Sequence, residues 1–192
     1  MRKLKLQVQI SIDGYIADTA GKTDWMVWNW SEDWTWDKEL QYDFTELKTS
    51  IDTVLLSRKM AKEGFIDHWA SVAKKSDDPQ AGFARSITAA KKVVFTKTLE
   101  KSEWENTLLA KGNLVDEVNA LKQQEGKDLI VYGGATFLSS LIEADLIDEY
   151  YLFVNPVALG EGIGMFTKKH KLKAEFSHTY ACGITVMKLV RP

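Results

Sequence analysis

One cysteine, Cys182, stands in 192 residues. No internal disulfide can form, and the chain suits a reducing compartment, with the cytoplasm as the expected location. Proline occurs three times and no linker of biased composition interrupts the chain, so a single domain spanning 1–192 is expected. No apolar run approaches the roughly 18 residues needed to cross a bilayer. The N-terminal MRKLKLQVQISID has cations with no unbroken apolar stretch behind them, and a signal peptide is not expected. Charge of one sign is also lacking: the formal net charge is −2, which argues against nucleic-acid or acidic-membrane partners. The three histidines, His68, His170 and His178, lack metal-ligand spacing, and no metal is expected. The patterns G-x-S-x-G, G-x-x-x-x-G-K-[ST] and G-x-G-x-x-G are all missing.

What remains is a regular alternation of elements. Residues 3–12, KLKLQVQISI, place Leu4, Leu6, Val8, Ile10 and Ile12 at a period of two, a strand signal ending at the turn pair Asp13-Gly14. Residues 37–50 carry Leu40, Phe44 and Leu47 at helical spacing, with acids early and a lysine late. A buried strand is expected over 52–57, a helix from Arg58 that breaks at Gly64, and a short helix over 80–90. Further strands are expected at 91–98, at 128–134 and, within IDEYYLFVNPVAL (147–159), up to Pro156. Helices are expected at 113–126, opened by Asn113, and from Ala135 onward. A hairpin around Ala181-Cys182-Gly183 closes the chain. This order predicts an α/β fold with a mostly parallel sheet, helices on both faces, and an antiparallel C-terminal edge.

In such sheets ligands gather beyond the carboxyl ends of the strands, and three segments fit that position. VYGGATF (131–137) sets Gly133-Gly134 between a strand and a helix, where backbone N–H groups attract phosphate. LLSRKM (55–60) puts Arg58 and Lys59 at a helix start. The helix dipole disfavours cations there unless an anion compensates. FTKT (95–98) joins hydroxyls to a cation after a third strand. Each alone is matched by an ordinary turn; together they point to a ligand with more than one phosphate.

SIDGYIAD, TDW, DFTELKTSIDTVLLSRKM, VVFTKT and LIVYGGATFLSSLIEADLIDEYYLFVNPVALGEG, in that order, resemble the dihydrofolate reductase-like superfamily. The likeness is greater to the branch holding the reductase domain of bacterial riboflavin biosynthesis. It implies a three-layer fold with about eight strands, NADPH as cofactor, a homodimer, and hydride transfer to a small heterocycle of pyrimidine-riboside or pterin type. Carried onto this chain, Ser57, Arg58 and Lys59 would meet cofactor phosphates, with Ser57 standing where glycine is usual. Thr96 and Lys97 would lie near the 2′-phosphate, and Gly133, Gly134, Ala135 and Thr136 would hold the pyrophosphate. The loop from Asp13 to Trp25 would close over the nicotinamide. Asp43 is the nearest match to the carboxylate that orients the pterin from the first helix, with Glu46 and Asp37 close behind, the plain alternative for each being a solvated acid. The riboflavin-pathway reductase usually accompanies a zinc deaminase whose motif this chain lacks. A non-catalytic nucleotide- or flavin-binding protein of the same fold is the rival reading.

Five of seven tryptophans, Trp25, Trp28, Trp30, Trp34 and Trp36, fall within twelve positions. A sugar-binding module would need an all-β chain, against the alternation above. The resemblance sets this stretch beside the substrate, where indoles stack on planar rings. Trp25 and Trp28 are the expected pocket residues, with about two of the five lining it.

Overall fold

A computed structural model describes residues 1–192. Its centre is an eight-stranded sheet built from β1 (Leu4–Ile10), β3 (Ile51–Ser57), β4 (Lys91–Phe95), β5 (Thr107–Ala110), β6 (Asp128–Val131), β7 (Glu149–Val154), β9 (Lys173–Thr179) and β10 (Thr185–Val190). The order across the sheet is β5-β4-β3-β6-β1-β7-β10-β9. The six strands from β5 to β7 run parallel, and β10 and β9 close one edge antiparallel. A two-stranded ribbon of β2 (Tyr15–Ala17) and β8 (Ile163–Gly164) lies beside it. Among the helices are α1 (Lys38–Thr49), α2 (Arg58–Lys62), α3 (Phe65–Val72) and α4 (Ala81–Ala89). The last two are α5 (Leu114–Gln123) and α6 (Ala135–Glu143). The expected mostly parallel α/β sheet with an antiparallel C-terminal hairpin is therefore present.

Two apolar clusters, each of 21 buried residues, fill the opposite faces of the sheet. One packs Val118 and Leu121 of α5 and Leu138, Leu141 and Ile142 of α6 against Leu4, Leu6, Val8 and Ile10. The other packs α1, α3, α4 and the tryptophan stretch against Val54, Leu56, Val94, Ile130 and Phe153. The strand alternation in β1 therefore separates two interiors instead of an interior from water. All seven residues of β1 are buried, Lys5, Gln7 and Gln9 included.

Several boundaries differ from the sequence reading for physical reasons. The first strand stops at Ile10, because Ser11 turns the chain by accepting the Tyr15 N–H, and Ile12 is exposed. The helix starting at Arg58 ends near Gly64, whose φ of 97° only an unbranched backbone adopts readily. Phe65, Ile66, Trp69 and Val72 then drive α3, in a stretch where the sequence shows no clear period. The short strand β5, Thr107–Ala110, is too brief to show a period in the sequence. The strand expected up to Pro156 ends at Val154, where Asn155 turns its side chain inward.

Candidate functional site

The parallel strands deliver three chain segments to one edge of the sheet. After β6, Gly134 adopts φ 86°, and a Cβ there would come within 3.1 Å of the Ser57 hydroxyl. That crowding brings the β6–α6 turn against the β3–α2 turn. No side chain caps α6, which leaves its first amide N–H groups and the positive end of its dipole facing outward. Ser57 caps α2 by accepting the Met60 N–H at 3.1 Å, so the residue standing in place of glycine has a structural task. Arg58 is exposed and makes no ion pair, whereas Lys59 pairs loosely with Glu63 at 3.6 Å. After β4, the buried Thr96 hydroxyl accepts the N–H groups of Thr98 and Leu99. Lys97 spends its ammonium on the carbonyls of Lys111 and Gly112, each at 2.6 Å.

Two cavities flank the start of α6. The larger, about 540 Å³, is bounded by Arg58, Thr96, Lys97 and Thr98 on one side and by Gly112, Asn113, Phe137 and Ser140 on the other. The smaller, about 320 Å³, runs from Gly133, Gly134 and Ala135 past Ile16, Ala17 and Thr23 to Trp30, Tyr132 and Gln7 on the sheet face. Thr136, exposed on the first turn of α6, stands between them and lines neither. An elongated ligand laid across the α6 N-terminus would reach Arg58 at one end and Trp30 at the other.

The loop after β1 is tied down. Asp13 accepts the Ser11 hydroxyl and the backbone N–H groups of Leu159 and Gly160. Those donors, the serine first, hold its carboxyl below the usual range, even though the side chain is exposed. Its oxygens are thus occupied by the protein and by loop closure against the 155–162 segment. Trp25 is half-buried, its indole N–H on the Lys22 carbonyl at 3.2 Å, and it does not reach the smaller cavity.

The expectation for Trp28 is corrected. Its ring is 1% exposed, with Trp30, Trp34, Trp36 and Phe44 centred 4.7–6.4 Å away. It is a core residue because the chain turns back over it: Gln9 donates to its carbonyl and Asn155 accepts the Val27 N–H. Trp36 is buried too, stacked on Phe153 at 5.3 Å. The ring that does face the cavity is Trp30, placed by a positive φ of 69° that is rare for so bulky a residue. Of the five tryptophans, it alone lines the smaller cavity.

Asp43 is also placed elsewhere. It is exposed on α1, accepts the Tyr180 hydroxyl at 2.6 Å, and lines a separate groove with Leu40, Phe176 and Lys188. Burial, and then the bond to Asp43, raise the Tyr180 phenol. The structure does not bring Asp43 together with the glycine turn. The only ionisable side chains near the smaller cavity besides Tyr132 are Lys59 and Glu63, both exposed at its mouth. Gln7 and Tyr132 line this cavity without being singled out by the sequence reading, and Trp30 only as one of five tryptophans. For Gln7 the available signal was its polar place in β1, once that strand is set at the sheet centre.

The chain matches the family model described as the RibD C-terminal domain over residues 2–188. Among curated proteins it is 31% identical over 189 residues to the uncharacterized protein YyaP of Bacillus subtilis, covering 95% of this chain and 92% of that one. It is 26% identical to YwjB of the same organism, covering 91% and 86%. A crystal structure from Shewanella sp. PV-4, ascribed to riboflavin biosynthesis, aligns with a TM-score of 0.70 at 22% identity, covering 99% of each chain. A diaminohydroxyphosphoribosylaminopyrimidine deaminase/5-amino-6-(5-phosphoribosylamino)uracil reductase of Thermotoga maritima aligns with a TM-score of 0.68 at 16% identity. That alignment takes in all of this chain but 57% of the other. No helix is long and apolar enough to cross a membrane.

Proposed function

The chain belongs to the RibD C-terminal domain family, and from that premise we propose that it is an NADPH-dependent reductase acting on a small heterocycle of pyrimidine-riboside or pterin type. The supporting observation is the pair of cavities that meet at the uncapped N-terminus of α6, with Arg58 beside them carrying no counter-charge. In this reading the open amides of the Gly133–Thr136 turn receive the pyrophosphate. Arg58 binds the 2′-phosphate through its guanidinium fork, and Thr96 and Lys97 shape the pocket around it. NADPH would supply the hydride, from the nicotinamide ring seated in the smaller cavity. The chain then excludes water with Ile16, Ala17, Met26 and Trp30 and holds the acceptor ring against the sheet. The same reading has the protein working in the cytoplasm as a homodimer.

With no carboxylate buried in the smaller cavity, the proton that follows the hydride comes, in this reading, from its mouth, where solvent meets Lys59 and Glu63, or from the substrate. That same feature favours one alternative, a non-catalytic protein that holds a nucleotide or flavin in the retained fold.

Titration with NADPH, followed by nicotinamide fluorescence, tests binding. Arg58→Ala should weaken NADPH about tenfold or more, the loss expected for a charge-assisted bond, while changing NADH much less. Equal losses for both, or equal wild-type affinity for both, would remove the phosphate role of Arg58. Turnover across a heterocycle panel then separates an enzyme from a binding protein.

A further inference from the structure

Gln7 and Gln9 project from β1 onto the same sheet face, yet only one of them is used by the fold. Gln9 donates to the Trp28 carbonyl at 2.7 Å and accepts from Asn155, anchoring the tryptophan stretch. Gln7 is 2% exposed, lines the smaller cavity, and has no hydrogen bond to any protein group through its carboxamide. Beside it, one step beyond the Leu6–Val131 pair of the parallel ladder, comes Tyr132. That residue is 4% exposed, and its hydroxyl is sealed from solvent without a partner. A hydroxyl taken out of water and left unpaired, as that of Tyr132 is, costs on the order of 1–3 kcal/mol, whereas the Gln7 carboxamide beside it is not sealed in the same way and has only what enters the cavity to pair with.

We propose that Gln7 determines the substrate specificity of this cavity by pairing, through its carboxamide, with the lactam edge of a planar heterocycle held beneath Trp30. The inference rests on the reductase reading for its chemistry, and on the geometry alone for the binding. A primary amide presents one donor and one acceptor side by side, the complement of an adjacent ring C=O and N–H. The surroundings exclude a charged partner: Gln7 and Tyr132 are neutral, and the two charged residues lining the cavity lie exposed at its mouth. Burying an ion there would leave it without a counter-charge. Walls of Val8, Ile16, Met26 and the Trp30 indole suit the faces of an aromatic ring, and about 320 Å³ is the low end of small-ligand cavities.

The test uses lumazine, which carries such edges, and its N-methylated forms, which lack the ring N–H donors, with binding read from quenching of tryptophan fluorescence. Wild-type protein should bind lumazine at least tenfold more tightly than the methylated rings, because a site built for a hydrogen bond rejects a ligand that cannot make it. Gln7→Leu and the unbranched Gln7→Met should lose that preference while keeping the wild-type thermal midpoint or rising above it. A preference that survives both substitutions, or wild-type protein that binds all the rings equally or none, overturns the proposal. NADPH affinity is measured on the same samples. Its absence alongside a Gln7-dependent lumazine preference would overturn the reductase reading and leave the role of Gln7 standing; the reverse pattern would do the opposite.

Discussion

Replacing Trp28 by alanine should destabilise the protein by about 3–5 kcal/mol, the range for removing a large aromatic from a packed core. The ring is 1% exposed, and four aromatic neighbours surround it with centroids no more than 6.4 Å away. None of them can collapse freely into the space left behind. Trp36 is stacked on Phe153, Phe44 is stacked on Phe83 at 4.7 Å, and Trp30 is held at 5.2 Å from Trp69. A domain of this size is typically stable by about 5–15 kcal/mol, so the loss would be a large fraction of the total. Trp25→Ala is the matched control. That ring is half-buried, gives up one hydrogen bond at 3.2 Å, and should cost less than about 1 kcal/mol. Urea unfolding followed by far-UV circular dichroism compares the two without relying on the indoles as reporters. Equal shifts in midpoint would mean that the five tryptophans act as one surface layer and not as a core with a rim.

How far these roles are visible in the sequence depends on which kind of signal each one leaves. β1, α1, α6 and the closing hairpin are readable because period and turn chemistry are local properties, and their order alone gives the parallel sheet. The glycine turn, Arg58 and Lys97 are readable as a group because all follow a strand, and strand ends of a parallel sheet share one edge. Trp28 and Trp30 are not separable in the same way. They sit two residues apart, and their fates are decided by a backbone turn with φ 69° at Trp30 and by distant partners, Gln9 and Asn155. Gln7 and Gln9 pose the same difficulty more sharply. Both look like the solvent side of an alternating strand, and only the central place of β1 between β6 and β7 buries them. Asp43 fails as a cavity acid because helical spacing fixes its face of α1 but not which groove that face overlooks.

Lys48 ends α1 as a cation yet is buried, and replacing it should stabilise the protein. Its ammonium donates to the Phe83 carbonyl at 3.0 Å and to the Ser86 hydroxyl, and lies 3.6 Å from the centre of the Phe83 ring. No carboxylate pairs with it, and burial pulls its pKa from 10.5 down to about 7. In the unfolded chain the same lysine keeps its proton up to about pH 10.5. Between about pH 7 and 10.5 the unfolded state therefore binds more protons than the folded one, and stability rises with pH through that window. Below pH 7 both states are charged, and the folded state bears the full cost of a cation held away from water. Lys48→Met keeps the length and removes the charge. It should add about 2–4 kcal/mol at pH 6, with the advantage fading as pH approaches 10. Neither acceptor is stranded by the change, because the Ser86 hydroxyl already donates to the Phe83 carbonyl at 2.8 Å. Denaturant midpoints of both proteins at pH 6 and pH 9.5 decide the matter. A variant less stable than wild type at both values would show that the hydrogen bonds and the Phe83 ring outweigh the burial of the charge, and α1 would then be held to α4 by its lysine and not in spite of it.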